Sequence, residues 1–223
     1  MKNGTAYAAR LGRAFTKQRA GVPNPVVPEP DDPLRRLAIG VLGVERGDDE
    51  ASRAVDSALK EMVDWNEMRV SNGPELNQAT GNRIPNGVKR CQQLIRALQA
   101  VYDRENTLSL DRLHGVARRE ARHYLEELDG LDEYVVASII LWSLGGHAIP
   151  VNDKLLKSLR DADLVHPEAT RAEIQAFLER HVGASQAKEF CLIMQSYKPV
   201  TTKRKTKAKT KTVSKKKTVS EKN

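Results

Sequence analysis

Apolar residues recur along this chain at intervals of three and four, the spacing of helices that bury one face. Tyr7, Leu11 and Phe15 stand four apart while the arginines take other faces, so residues 6–19 read as an amphipathic helix. Five prolines between Val22 and Pro33 make residues 22–33 an extended linker, and the compact body is expected to begin near Asp31. Asp32 then caps a helix through Leu34, Leu37, Ala38 and Val41. Asp48 or Asp49 starts another, through Ala54, Val55 and Leu59 to Met62. A long helix follows Pro85 and Gly87 and is expected to bury Val88, Cys91, Leu94, Leu98 and Val101. A short helix at 108–113 and a longer one at 116–128 come next. Residues 135–144 are apolar on every side, the mark of a central buried helix. Gly145 and Gly146 end it, and further helices are expected at 152–159, 169–178 and 185–197. No stretch reads convincingly as a strand. The expected fold class is all-α.

Composition supports this. Aromatic residues are only 4% of the chain, so the core must be aliphatic, which suits packed helices better than a sheet. No apolar run is long enough to cross a bilayer, and the N-terminus lacks the apolar segment of a secretory signal. A protein without a membrane partner, cytoplasmic or nucleoid-associated, is expected. Cys91 and Cys191 are isolated, with no CxxC and no histidine cluster, and two thiols cannot supply the four ligands of a zinc or iron–sulfur site. No metal and no cofactor is expected. Nor does any heptad seam suggest a coiled-coil dimer, so the chain reads as a monomer.

The net charge of +8 is unevenly spread. Residues 201–223 hold ten Lys or Arg against Glu221 alone, and residues 1–21 hold five basic residues and no acid. The remainder carries 22 basic and 28 acidic residues, a net of −6. An acidic body thus lies between basic ends. The tail, 200–223, is low in complexity, with Lys, Thr and Ser and no large apolar residue, and is expected to be disordered when free. Lys203, Arg204, Lys205, Lys207, Lys209, Lys211, Lys215, Lys216 and Lys217 are its candidate contacts to DNA, or to RNA, because each lysine that neutralises a phosphate releases a counterion.

Residues 128–136 read Leu-Asp-Gly-Leu-Asp-Glu-Tyr-Val-Val. One helix ends, Gly130 turns the chain, and Asp132 can cap the next helix, which makes a helix-hairpin-helix. A loop with Val151, Asn152 and Asp153 then leads to another helix. This resembles the endonuclease III-like (HhH-GPD) DNA glycosylases, whose hairpin reads Leu-Pro-Gly-Val-Gly-Arg-Lys-Thr-Ala and whose later loop reads Val-Asp-Thr-His. The order of helices over residues 31–199 is similar as well. The resemblance implies a two-lobed helical fold. It also places Gly130, Leu131 and Asp132 at the hairpin that would face DNA.

The same resemblance locates the family's catalytic pair. Its lysine, which attacks the sugar and forms a Schiff base, falls at Tyr134, and its aspartate falls at Asn152, leaving no confident catalytic residue. Asp153 is the candidate substitute if the loop is shifted by one; the plainer role for Asn152 or Asp153 is to cap the following helix. The loop glutamine that fills the gap left by a flipped base corresponds to Glu45. A hairpin glycine becomes Asp132, whose carboxylate competes with phosphate for a helix N-terminus. Lys154 is a candidate phosphate contact. Trp65 and Trp142 read as core or edge anchors, and His114, His123, His147, His166 and His181 show no metal or dyad spacing. Three readings stay open. The chain is a DNA-binding protein of this fold without its catalytic pair, related to base-excision repair by descent. Or it is a glycosylase without lyase activity, using Asp153 and water as some lysine-less relatives do. Or it is an adaptor whose acidic body binds a protein while the tail tethers it to the nucleoid or to RNA.

Overall fold

The computed structural model describes residues 4–22, 25–195 and 197; the basic tail, with its candidate contacts from Lys203 to Lys217, lies outside the described residues. Every regular element among those described is helical. The first, α1 (Gly4–Ala20), buries Tyr7, Leu11 and Phe15 as its spacing requires. Phe15 meets Phe190 of α11 (Ala187–Gln195) edge to face at 5.2 Å, and Arg19 pairs with Glu189 at 2.7 Å. The basic N-terminal helix therefore docks on the body.

Helix α2 (Pro33–Gly43) starts at Asp32, whose carboxylate accepts from the Arg35 N–H at 2.7 Å. All its residues except Arg35 are buried. Gly40 lets the neighbouring helix α8 (Glu133–Ser138) come close, since a Cβ there would lie 3.2 Å from Cγ1 of Val135. Helix α3 (Asp48–Glu61) packs on α2 through Ala51, Ala54, Val55 and Ala58. Two short helices absent from the sequence reading follow: α4 (Trp65–Val70), capped by Asp64, and α5 (Gly73–Ala79), capped by Asn72.

The long helix α6 (Gly87–Glu105) buries Cys91, Leu94, Ala97, Leu98 and Val101. Val88, expected on that face, is instead 40% exposed, with its backbone carbonyl close to Gly73 at the start of α5. The expected helix at 108–113 is a 3-10 turn at Asp111–Gly115, and that at 116–128 is shorter, α7 (Arg118–Glu126). The apolar run is buried throughout, but α8 widens into a π-helical stretch at Ile139–Ser143. Helices α9 (Asp153–Asp161) and α10 (Arg171–His181) come next, and a 3-10 turn (Ala184–Gln186) leads into α11. Helices α2 to α6 form one group and α1, α9 and α11 another, with α8 and its π-helical continuation between them. No helix among the described residues is long and apolar enough to cross a membrane.

Candidate functional site

The hairpin forms where the sequence places it. After Leu128, Gly130 adopts φ +85°, and a Cβ there would lie 2.9 Å from the Gln93 carbonyl oxygen and 3.0 Å from the Ala97 nitrogen. Both conformation and space demand glycine. The Gln93 amide donates to the Gly130 carbonyl at 2.7 Å, tying the turn to α6. Leu131 is half-buried beside it, and Asp132 accepts from the Val135 N–H at 3.0 Å, capping α8.

One turn on, Tyr134 is 1% exposed and its phenol donates to Oδ1 of Asp48 at 2.9 Å. Burial first, and the Asp48 carboxylate second, push the phenol well above its ordinary pKa, so it remains a protonated donor. Asp48 opens α3, and its other oxygen accepts from Nη1 of Arg36 at 2.7 Å. Arg36 is buried, pairs also with Asp31, and lies 5.7 Å from the Trp142 ring centre. A cavity of about 240 Å³ opens beside this network, bordered by Asp31, Arg36, Asp48, Ser52, Trp142 and Gln195. Two donors on its wall, Nε of Arg36 and Nε1 of Trp142, are buried without a hydrogen-bond partner.

Asn152 lies within hydrogen-bonding reach of the same phenol. It is 1% exposed, and its Oδ1 accepts from the Leu155 N–H at 2.8 Å, which caps α9. Tyr134 and Asn152, the two positions that the resemblance pairs, thus lie side by side, while the sequence reading took Asp48 only as a helix start and gave Arg36 no role. The signal was present: an arginine inside an apolar helix needs carboxylates, and Asp31 and Asp48 flank that helix in sequence.

Asp153 turns elsewhere. Its carboxylate accepts from Nη2 of Arg171, whose Nη1 donates to the Val151 carbonyl at 2.7 Å, and its backbone N–H donates to the Val44 carbonyl at 2.9 Å. Lys154 is exposed and makes no ion pair among the described residues. Glu45 is held against α6, accepting from the Asn86 amide at 3.1 Å and from Nη2 of Arg90 at 3.1 Å. Partial burial opposes its ionisation, but those hydrogen bonds win and keep its pKa below the usual carboxylate range. Trp142 is buried and Trp65 packs on the core, as anchors do. Burial pushes the Cys91 thiol up to about 12. Among the described residues no group of three His, Cys, Asp or Glu side chains could hold a metal ion.

Neither family models nor characterised protein sequences give a match to the chain. Solved structures do. A trapped covalent intermediate of endonuclease III with DNA superposes with a TM-score of 0.66 at 13% identity, covering 84% of each chain. The fold is that of the endonuclease III-like DNA glycosylases. An 8-oxoguanine glycosylase/lyase of Clostridium acetobutylicum bound to DNA gives 0.64 at 14%, covering 87% of this chain and 69% of that one. A thermostable thymine-DNA glycosylase gives 0.57 at 15%, covering 86% and 84%. Within the endonuclease III-like fold, the Tyr134–Asp48–Arg36 network lies where the two helix groups meet, one turn beyond the hairpin.

Proposed function

We propose that this protein binds DNA on a glycosylase fold without performing the lyase reaction. One observation carries the reading: where the resemblance puts an attacking amine, a buried phenol donates a hydrogen bond to Asp48. An imine forms only on an amine, and a phenol with a raised pKa is a poor nucleophile. Asn152 carries no charge to stabilise a sugar cation and is occupied as a helix cap. The pairing of Asp153 with Arg171 speaks against its serving as the substitute.

Affinity in this reading comes from the basic ends, and the tail contacts phosphate in RNA as it does in DNA. Each phosphate neutralised adds roughly 0.9 to the slope of log affinity against log salt. The test incubates the full chain with duplexes holding an abasic site, adds borohydride to trap imines, and measures binding across salt. Salt-steep binding with no trapped adduct is expected; a trapped adduct or a strand break overturns the reading.

A second reading, base excision without strand cleavage, has one observation in its favour. Asp48 borders a cavity of about 240 Å³ whose wall carries unpartnered donors on Arg36 and Trp142. A base released from damaged or mismatched duplexes, and lost in Asp48→Asn but kept in Asp153→Ala, would establish it.

A further inference from the structure

On the other side of the hairpin lies a groove of about 420 Å³ between the end of α7, the turn into α8, and α10. Glu126, Asp132, Glu133 and Glu179 line it against a single Arg122. Arg122 lies 3.5 Å from Glu179, which also accepts from the Ile149 N–H and from the Gln175 amide, so Glu179 is satisfied internally. Glu126, Asp132 and Glu133 make no ion pair among the described residues. Gln175 is 6% exposed, lines the groove, and its Oε1 has no hydrogen-bond partner. Leu131, Val136, Ala172 and Ala176 supply apolar walls. The groove therefore combines unpaired carboxylates, a buried unpartnered acceptor, and an apolar lining. A lysine fits all three, with an aliphatic stem for the walls and three ammonium donors at its tip.

We propose that the groove docks this chain's own lysine-rich C-terminal segment, Lys203–Lys217. The opposite charges favour it. Between Lys203 and Lys211 every second residue is lysine, so in an extended form five ammonium groups share one edge. Reach is ample: the ten residues after Tyr197 span up to roughly 35 Å, about the diameter of such a body. Tethering gives the segment an effective concentration of order millimolar, enough for individually weak contacts to be populated. The same lysines cannot hold groove and phosphate together, so docking lowers polyanion affinity. Only that consequence rests on the proposed DNA-binding reading; docking itself does not.

The full chain is treated with a carbodiimide that joins lysine to carboxylate, at about 50 mM and about 500 mM salt, where screening differs severalfold. Linked peptides are mapped by mass spectrometry without DNA present. The result expected is a monomer-mass product linking the tail to Glu126, Asp132 or Glu133 at low salt and lost at high salt. Links spread over the body's other carboxylates, or only between molecules, overturn the proposal. Two variants follow: Glu126→Gln with Glu133→Gln, and the same pair with Asp132→Asn, which keeps a capping side chain. Freed tails should bind DNA roughly threefold to tenfold more tightly at low salt if docking competes with phosphate. Where the unaltered protein does bind DNA, unchanged affinity in both variants also overturns it. Groove-specific links in a protein that does not bind DNA would uphold docking and sink the DNA reading.

Discussion

The interior site and the hairpin groove are both lined by carboxylates, yet they treat them oppositely. At the site, Asp48 and Asp31 are bound by Arg36, and Asp48 also accepts from Tyr134. In the groove, Glu126 and Glu133 are exposed, Asp132 is half-buried as the cap of α8, and none of the three forms an ion pair among the described residues, the one arginine there going to Glu179. The reason is solvation. A charge taken from water must be matched by its neighbours, whereas an exposed one keeps its hydration and can wait for a partner. Charges in the interior hold the fold together, and charges in the groove remain open to a ligand.

The largest effect should come from breaking the interior. Arg36→Met leaves Asp31 and Asp48 without their cation and should lower stability by about 3 kcal/mol in urea unfolding. Gly130→Ala strikes the turn that joins the two regions; a left-handed alanine crowded by Gln93 should cost about 2 kcal/mol on the same measure. Asn152→Ala removes a cap and should cost about 1 kcal/mol, while Asn152→Asp retains the cap, so thermal unfolding should separate the two variants.

Glu45 gives a pH-dependent test of smaller size. Its pKa is lowered on folding, so its contribution is fully present above the unfolded value of about 4.3 and is lost as pH falls through the folded value. Glu45→Gln should flatten the acid limb of the stability profile and leave the alkaline limb alone. The smallest effect sharpens the contrast: Glu126→Gln with Glu133→Gln should change stability by less than about 0.5 kcal/mol, because these groups are exposed and unpaired.

Where a residue acts on its own neighbours, the linear order exposed it. Asp32, Asp132 and Asn152 each precede an apolar run and each caps it. Gly130 announced a turn, and the wholly apolar run from residue 135 announced burial. The helices α4 and α5 were not legible, since six and seven residues give too few turns for a period to show. Val88 obeyed the period but not the packing, because periodicity defines a face and not how far its neighbours extend along it. The partnership of Tyr134 with Asp48 spans 86 positions, and nothing in either segment points to the other.

The sequence by itself determined an all-helical chain, a hairpin turning on Gly130, and an acidic body between basic ends, because helix periods, caps and charge are properties of nearby residues. Tertiary structure alone decided that Asp48 would bind Tyr134, that Asp153 would turn to Arg171, and that three carboxylates without an ion pair among the described residues would gather beside Gln175. Those outcomes depend on which distant helices share a boundary, and on whether each charge ends up inside that boundary or in water.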